Sequence, residues 1–189
     1  MQVSLIRTKN RKTYKQVMDK FDRLCARIGW FDNTQYEDKT PVAKVARTQE
    51  FGTLNKGGYI PPRPFMRPAK NGNLKNWNTI FRVSLEKGSL EEALMKAAIQ
   101  AVGDIRQAIM NVWRPPLAKA TVLARLNKYS KNNPAVQHAI KQVKGLEPMN
   151  KNFKTSGIMK PLIDTGLMIS SLSYEIIDPR EVADEHTVE

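Results

Sequence analysis

The chain carries few of the residues that do chemistry. Its 189 residues include one cysteine, Cys25, and two histidines, His138 and His186. A lone thiol cannot close an internal disulfide, which suits synthesis in a reducing compartment. Neither histidine lies near Cys25 in sequence, and no His, Cys and Asp spacing matches a metal site. No metal or other cofactor is expected. Long apolar runs are also missing: none approaches the ~20 residues of a membrane-spanning helix. Met1 to Lys12 alternates apolar and basic residues and lacks the apolar block of a secretion signal. The expectation is a soluble protein made in the cytoplasm, with no membrane partner.

Acidic residues are the scarcer charge. Thirty-one Lys and Arg against 18 Asp and Glu give +13. Six of those acids, with Arg180, lie in the last 15 residues, so Met1 to Tyr174 holds 30 basic and 12 acidic groups, net +18. Such a body is expected to meet nucleic acid or an acidic protein surface, unless the charge is only a solvated face. No helix–turn–helix, zinc finger or aromatic RNA-binding motif is present. Any contact with DNA would therefore be non-specific and made through phosphates.

Catalytic signatures are absent too. Ser170, Ser171 and Ser173 lack the G-x-S-x-G turn of a nucleophile elbow. Gly57 and Gly58 lack the following Lys-Ser/Thr and helix of a phosphate loop. Glu91 and Glu92 read as favourable charge in the first turn of a helix. Asp164 in Asp164-Thr165-Gly166 reads as an N-cap in preference to an acidic active site. The residues point away from an enzyme.

The hydrophobic share, 41%, and the charged share, 26%, are those of a globular domain, and the length supports one core without crosslinks. Residues 11–28 have the 3.6-residue period of an amphipathic helix, with Gly29 as its C-terminal cap. Ile28 to Tyr36 reads as a strand. Thr40 as N-cap and Pro41 as first helical residue open a short helix that stops near Gly52. Glycines and prolines from Thr53 to Gly72 argue against regular structure over most of that stretch, and Ile60 to Pro68 should be extended. Leu74 to Leu85 reads as a helix. Ser89 with Glu92 forms a capping box for a longer one near residues 89–113, whose stripe runs from Leu90 to Val112. Pro115 and Pro116 end it. A short helix over Lys119 to Lys128, a polar insertion at about 127–157, a helix over Asp164 to Leu172 and a strand over Ser173 to Ile177 follow. The two strands should pair with each other or with Val3 to Ile6. This order is α+β: a small, mainly antiparallel sheet packed with helices, in one domain over 1–177, with an acidic tail at 178–189.

Three segments taken together carry a resemblance. They are Val42-Ala43 and Val45-Ala46 leading into Glu50-Phe51-Gly52; Ile60-Pro61-Pro62-Arg63-Pro64-Phe65-Met66-Arg67-Pro68; and Lys160-Pro161-Leu162-Ile163-Asp164-Thr165-Gly166-Leu167-Met168. In this order, with a helical stretch between the second and third, the chain resembles the virion-morphogenesis proteins of tailed bacteriophages, the neck, collar and tail-completion subunits. The resemblance covers about Ile28 to Ile177 and leaves aside 127–157 and the acidic tail.

The resemblance implies a structural protein of the virion, synthesised in the host bacterial cytoplasm. It implies a homo-oligomeric ring of six or twelve copies at the head–tail junction, around the DNA exit channel. Portal or head-completion proteins and tail terminator or tail-tube proteins are the implied partners. A tail terminator subunit, or a basic nucleic-acid-binding or packaging accessory protein absent from the virion, are the alternatives. Within the motifs, the stiff Pro-rich arm should dock with little entropy loss. Arg63 and Arg67 either bridge to carboxylates of the next subunit, with Glu50 as a candidate, or are plain surface charges. Phe65 and Met66 should fill the core.

Overall fold

A computed structural model describes residues 24–31, 34–55, 58–129 and 160–178. Residues 11–23 of the expected helix over 11–28, a strand at Val3 to Ile6, most of the polar insertion and the acidic tail beyond 178 lie outside these residues. The fold is α+β. In chain order the elements are β1 (Cys25–Gly29), α1 (Val42–Phe51), β2 (Thr53–Asn55), β3 (Gly58–Ile60), α2 (Met66–Lys87), α3 (Leu90–Asn111), α4 (Lys119–Tyr129), α5 (Leu167–Ser170) and β4 (Ser173–Ile177).

The chain groups into two compact units. The first draws, among described residues, on 24–29, 70–104 and 173–178. In it β1 pairs antiparallel with β4, Cys25 opposite Ile177 and Gly29 opposite Ser173. Arg27 lies opposite Glu175, and its Nη2 donates to Glu175 Oε2 at 2.6 Å. Residues 25–28, expected as the end of a helix over 11–28, are strand instead, and the strand expected over Ile28 to Tyr36 begins at Cys25 and ends at Gly29. Cys25 and Ile28 satisfy a helical period and an extended strand equally, and the ladder to β4 decides between them. In the same unit Trp77 of α2 donates its indole N–H to Asp104 of α3 at 2.7 Å, and Gln100 donates to the other oxygen of that carboxylate at 3.0 Å. Ala93, Ala98, Ala101 and Val102 of α3 are buried there.

The α3 helix begins as expected: the Glu92 N–H donates to Ser89 Oγ at 3.2 Å. By contrast α2 begins at Met66, eight residues before the expected Leu74, and takes in Pro68 and Gly72.

The second unit comprises, among described residues, 30–69 without the gaps, 105–129 and 160–172. Its buried side chains include Val42, Ala46, Phe65, Ile109, Val122, Leu126, Leu162, Met168 and Leu172. Trp30 ties two ends of it together: its ring meets Phe65 edge-on at 6.1 Å, and its indole N–H donates to Met168 O at 2.9 Å. Pro41 stands at the N-cap of α1 instead of the first helical position, with no side-chain cap. The last helix is shorter than expected, four residues beginning at Leu167, and its N-cap is Gly166, not Asp164.

Ile109 is fully buried on α3 whereas Ile99 is 53% exposed on the same helix. Ile109→Ala should lower the unfolding free energy by about 2–5 kcal/mol, and Ile99→Ala by less than ~0.5. Urea denaturation of the two variants beside the parent checks this, and equal losses would contradict the placement of α3.

Candidate functional site

The first two motifs meet at one carboxylate. Glu50 sits at the end of α1 with its side chain only 5% exposed. Its Oε2 accepts the backbone N–H of Phe65 at 2.7 Å and of Met66 at 3.0 Å, and its Oε1 that of Arg67 at 3.2 Å. Residues 65–68 are where α2 starts, and the first four N–H groups of a helix have no intrahelical partner. Glu50 takes three of them, and the fourth residue is Pro68, which has no N–H to satisfy. The first helical bond then runs from Ala69 N to Phe65 O, 3.1 Å. A negative charge at a helix N-terminus also meets the positive end of the helix dipole. Arg67 closes the arrangement, its Nε donating to Glu50 Oε1 at 2.9 Å and its Nη2 to Glu50 O at 3.2 Å. Burial pushes the Glu50 carboxyl upward, but the Phe65 N–H, the Arg67 side chain and the Met66 and Arg67 N–H groups outweigh it, so its pKa lies below the ordinary value.

Gly52 follows in a conformation that only glycine fits well, φ 71°. A Cβ there would lie 2.7 Å from Ile60 O and 2.8 Å from Pro62 N, so the Pro-rich strand passes directly against it. Between them, β2 and β3 form a two-stranded antiparallel ribbon with Thr53 opposite Ile60 and Leu54 opposite Tyr59. Phe51 is 61% exposed beneath the Arg67 guanidinium, 5.0 Å away. Pro61 is half-buried, and Pro62 and Pro64 are exposed.

Arg63 points inward. It is 4% exposed, and its Nε donates to Pro115 O at 2.7 Å, its Nη2 to Pro116 O at 3.0 Å and its Nη1 to Gln49 Oε1 at 3.0 Å. Burial first, and the positive Arg125 second, lower its pKa, yet a guanidinium remains charged. Two further arginines hold main chain in the same way. Arg106 of α3 donates to Ile169 O at 3.1 Å and Leu172 O at 2.8 Å. Arg125 of α4 donates to Lys160 O and Ile163 O, both at 2.9 Å.

The third motif is shaped by that last contact. Asp164 stands 3.4 Å from Arg125 Nε. Its expected capping role belongs instead to Thr165, whose Oγ1 accepts the Leu167 N–H at 3.2 Å, and to Gly166, whose φ is 79°. Beside it lies an open cleft of about 350 Å³. Val45, Leu162 and Met168 contribute apolar surface to it, and Glu37, Asp38 and Asp164 contribute carboxylates, with Arg125 and Lys128 also in the lining. Tyr36 in this cleft has its pKa raised, by burial first and by the Asp164 charge second.

Thus the structure brings Glu50, Phe51, Gly52, Ile60, Arg63, Phe65 and Arg67 together, and places Asp164, Thr165 and Gly166 beside the same helix α1. Arg63 and Arg67 are expected either to bridge to carboxylates of the next subunit, with Glu50 as a candidate, or to be plain surface charges. Both guanidiniums are engaged within the chain, Arg63 buried and Arg67 with its side chain 59% exposed. Phe65 is buried as expected and Met66 half-buried. Arg106 and Arg125 were not singled out from the sequence, because a side chain that binds carbonyls has no partner residue to betray it. Among the described residues no group of three His, Cys, Asp or Glu could hold a metal ion. No described helix is long and apolar enough to cross a membrane. No family model matches the chain, and neither the curated proteins nor the solved structures provide a match.

Glu50→Ala leaves buried N–H donors unmet and should cost about 3 kcal/mol or more, while Arg67→Ala, at an exposed guanidinium, should cost under ~1.5. Arg63→Lys cannot reproduce the three-way fork and should cost about 2 kcal/mol. Thermal and urea unfolding rank the three. The Glu50 pKa is depressed on folding, so its contribution is complete above the unfolded value, about 4.3, and is lost as pH falls through the folded value. Stability measured downward from pH 5 should therefore fall less steeply in Glu50→Gln than in the parent.

Proposed function

We propose that this chain is a structural virion protein, not an enzyme: a ring-forming subunit at the head–tail joint of a tailed-phage particle. It would link the portal-bearing head to the tail around the DNA exit channel. The reading rests first on the three motifs that resemble phage virion-morphogenesis proteins. One observation carries it further. All three motifs lie in one unit, where Glu50, Arg63 and Gly52 stiffen the backbone that presents an exposed apolar ribbon. Catalysis would need reactive groups aimed at a common point, whereas here the charged groups are aimed at main chain. Subunit assembly needs rigid presentation of surface, since ordering a floppy arm on binding costs affinity.

A second reading has its own support. Lys44, Arg47, Lys70, Lys75, Arg82, Lys87 and Lys96 are exposed and, among the described residues, have no ion-pair partner. A basic nucleic-acid-binding or packaging accessory protein would use them on phosphates.

Antibody labelling of purified particles separates the two. The ring subunit should be found in virions with label at the neck, and the isolated protein should sediment as a monomer or a closed ring. Label confined to other parts of the particle would sink the leading reading. Absence from virions, together with DNA binding that weakens steeply as salt rises, would favour the second.

A further inference from the structure

Helix α2 is built in part from residues that do not favour a helix. Asn71, Gly72, Asn73, Asn76 and Asn78 all lie within it, and each is a poorer helix former than alanine. Packing inside the chain does not explain them. Asn71, Asn76 and Asn78 are exposed, and their amides have no hydrogen-bond partner among the described residues. A side chain added at Gly72 would meet nothing within 4 Å. Residues that weaken an element without serving its interior point to a role outside it.

We propose that the face of α2 formed by Asn71, Lys75, Asn78 and Arg82 binds the phosphate backbone of double-stranded DNA without reading its sequence. This inference rests on the contact with DNA that both readings above carry, and gives that contact its surface. The four residues follow one another at steps of four, three and four, so they form a single row along the helix. All four are exposed, and neither cation has an ion-pair partner among the described residues. At ~1.5 Å per residue the row is about 16 Å long, and about five phosphates of one DNA strand pass over that length. Lysine, arginine and asparagine are all residue types that donate to phosphate oxygens.

Charge complementarity selects the partner. No acidic residue occurs between Glu50 and Glu86 in the sequence, so none interrupts the row, and Glu86 closes it one turn after Arg82. A second copy presenting the same face would meet like charge. Single-stranded nucleic acid is held on aromatic platforms. This row offers none, since Trp77 and Phe81 of α2 are half-buried and the Trp77 indole is bonded to Asp104. A regular line of donors suits the evenly spaced phosphates of a duplex better than the scattered carboxylates of a protein surface.

Fluorescence anisotropy of a short labelled duplex of arbitrary sequence, titrated with the full chain at several salt concentrations, tests the face. Lys75→Gln with Arg82→Gln should reduce the slope of log affinity against log salt by about 1.8. The same pair should weaken binding at low salt on the order of tenfold. Lys44→Gln with Arg47→Gln, an equal loss of exposed charge on α1, should leave the slope unchanged. Asn71→Ala with Asn78→Ala should raise the unfolding temperature, because alanine favours the helix, yet weaken duplex binding about fivefold. A slope that both charge variants reduce equally, or that neither changes, overturns the proposal. Unchanged binding in the asparagine variant overturns it too, as does tighter binding of a single strand than of the duplex. Poly-glutamate bound as tightly as the duplex would replace DNA by an acidic protein surface and overturn it as well. A parent chain that binds no duplex, yet is labelled at the neck, would discard this face and leave the ring reading standing. Duplex binding lost only with this face, in a protein absent from virions, would remove the ring reading and keep the proposal.

Discussion

A buried carboxylate decides where α2 begins, and much of the second unit follows from it. Glu50 supplies from outside the helix what an N-cap residue normally supplies from within, accepting the N–H groups of Phe65, Met66 and Arg67. Burying an ion is costly unless its hydrogen bonds are replaced. Here both oxygens are occupied, and Arg67 adds a charged donor at 2.9 Å. The motif residues then have separate reasons. Pro68 removes the fourth orphan donor, Phe65 plugs the core beneath Trp30, and Gly52 lets the Pro-rich strand pass close enough to bring residue 65 to the carboxylate.

The arginines solve the complementary problem. Residues 112–118 and 160–166 have little regular structure, so their carbonyls lack ladder partners and need other donors. Arg63 serves Pro115 and Pro116, Arg125 serves Lys160 and Ile163, and Arg106 serves Ile169 and Leu172. A guanidinium suits this role because its five donors lie in one rigid plane and can meet several carbonyls at once. Irregular chain is thereby given fixed geometry without a sheet. Among the described residues no buried side-chain polar atom is left without a partner.

Local signals in the sequence translated well and distant ones did not. The Ser89–Glu92 cap, the α3 stripe and the strand Ser173–Ile177 depend on neighbours a few residues away, and they are found where expected. The true start of α2 was hidden because four prolines read as extended, and the group that caps the helix is 15 residues upstream. β1 was hidden because its residues continue a helical period, and its partner strand is nearly 150 residues further on. Asp164 has the right identity for a cap, but an arginine on another helix takes it. The ribbon between Thr53 and Ile60 was hidden because the glycines and prolines from Thr53 to Gly72 argue against regular structure over most of that stretch.

These placements also change what the net charge can mean. A total of +13 invites the idea of a polyanion partner. Yet Arg63, Arg106 and Arg125 are spent on main-chain carbonyls, and Arg27 and Arg67 face carboxylates of their own chain. Cations used in this way cannot release counterions from a phosphate backbone, so charge counted from composition overstates the electrostatic drive toward DNA. Among the described residues, what remains exposed is mainly lysine, a point charge that gathers anions without reading them. Among the described residues the fixed, directional chemistry is instead turned inward, and part of it, the Glu50–Arg67 pair, lies at the base of one short apolar ribbon. Rigidity concentrated beneath an uncovered apolar face is the arrangement that specific association requires, because it lowers the cost of ordering before the partner arrives.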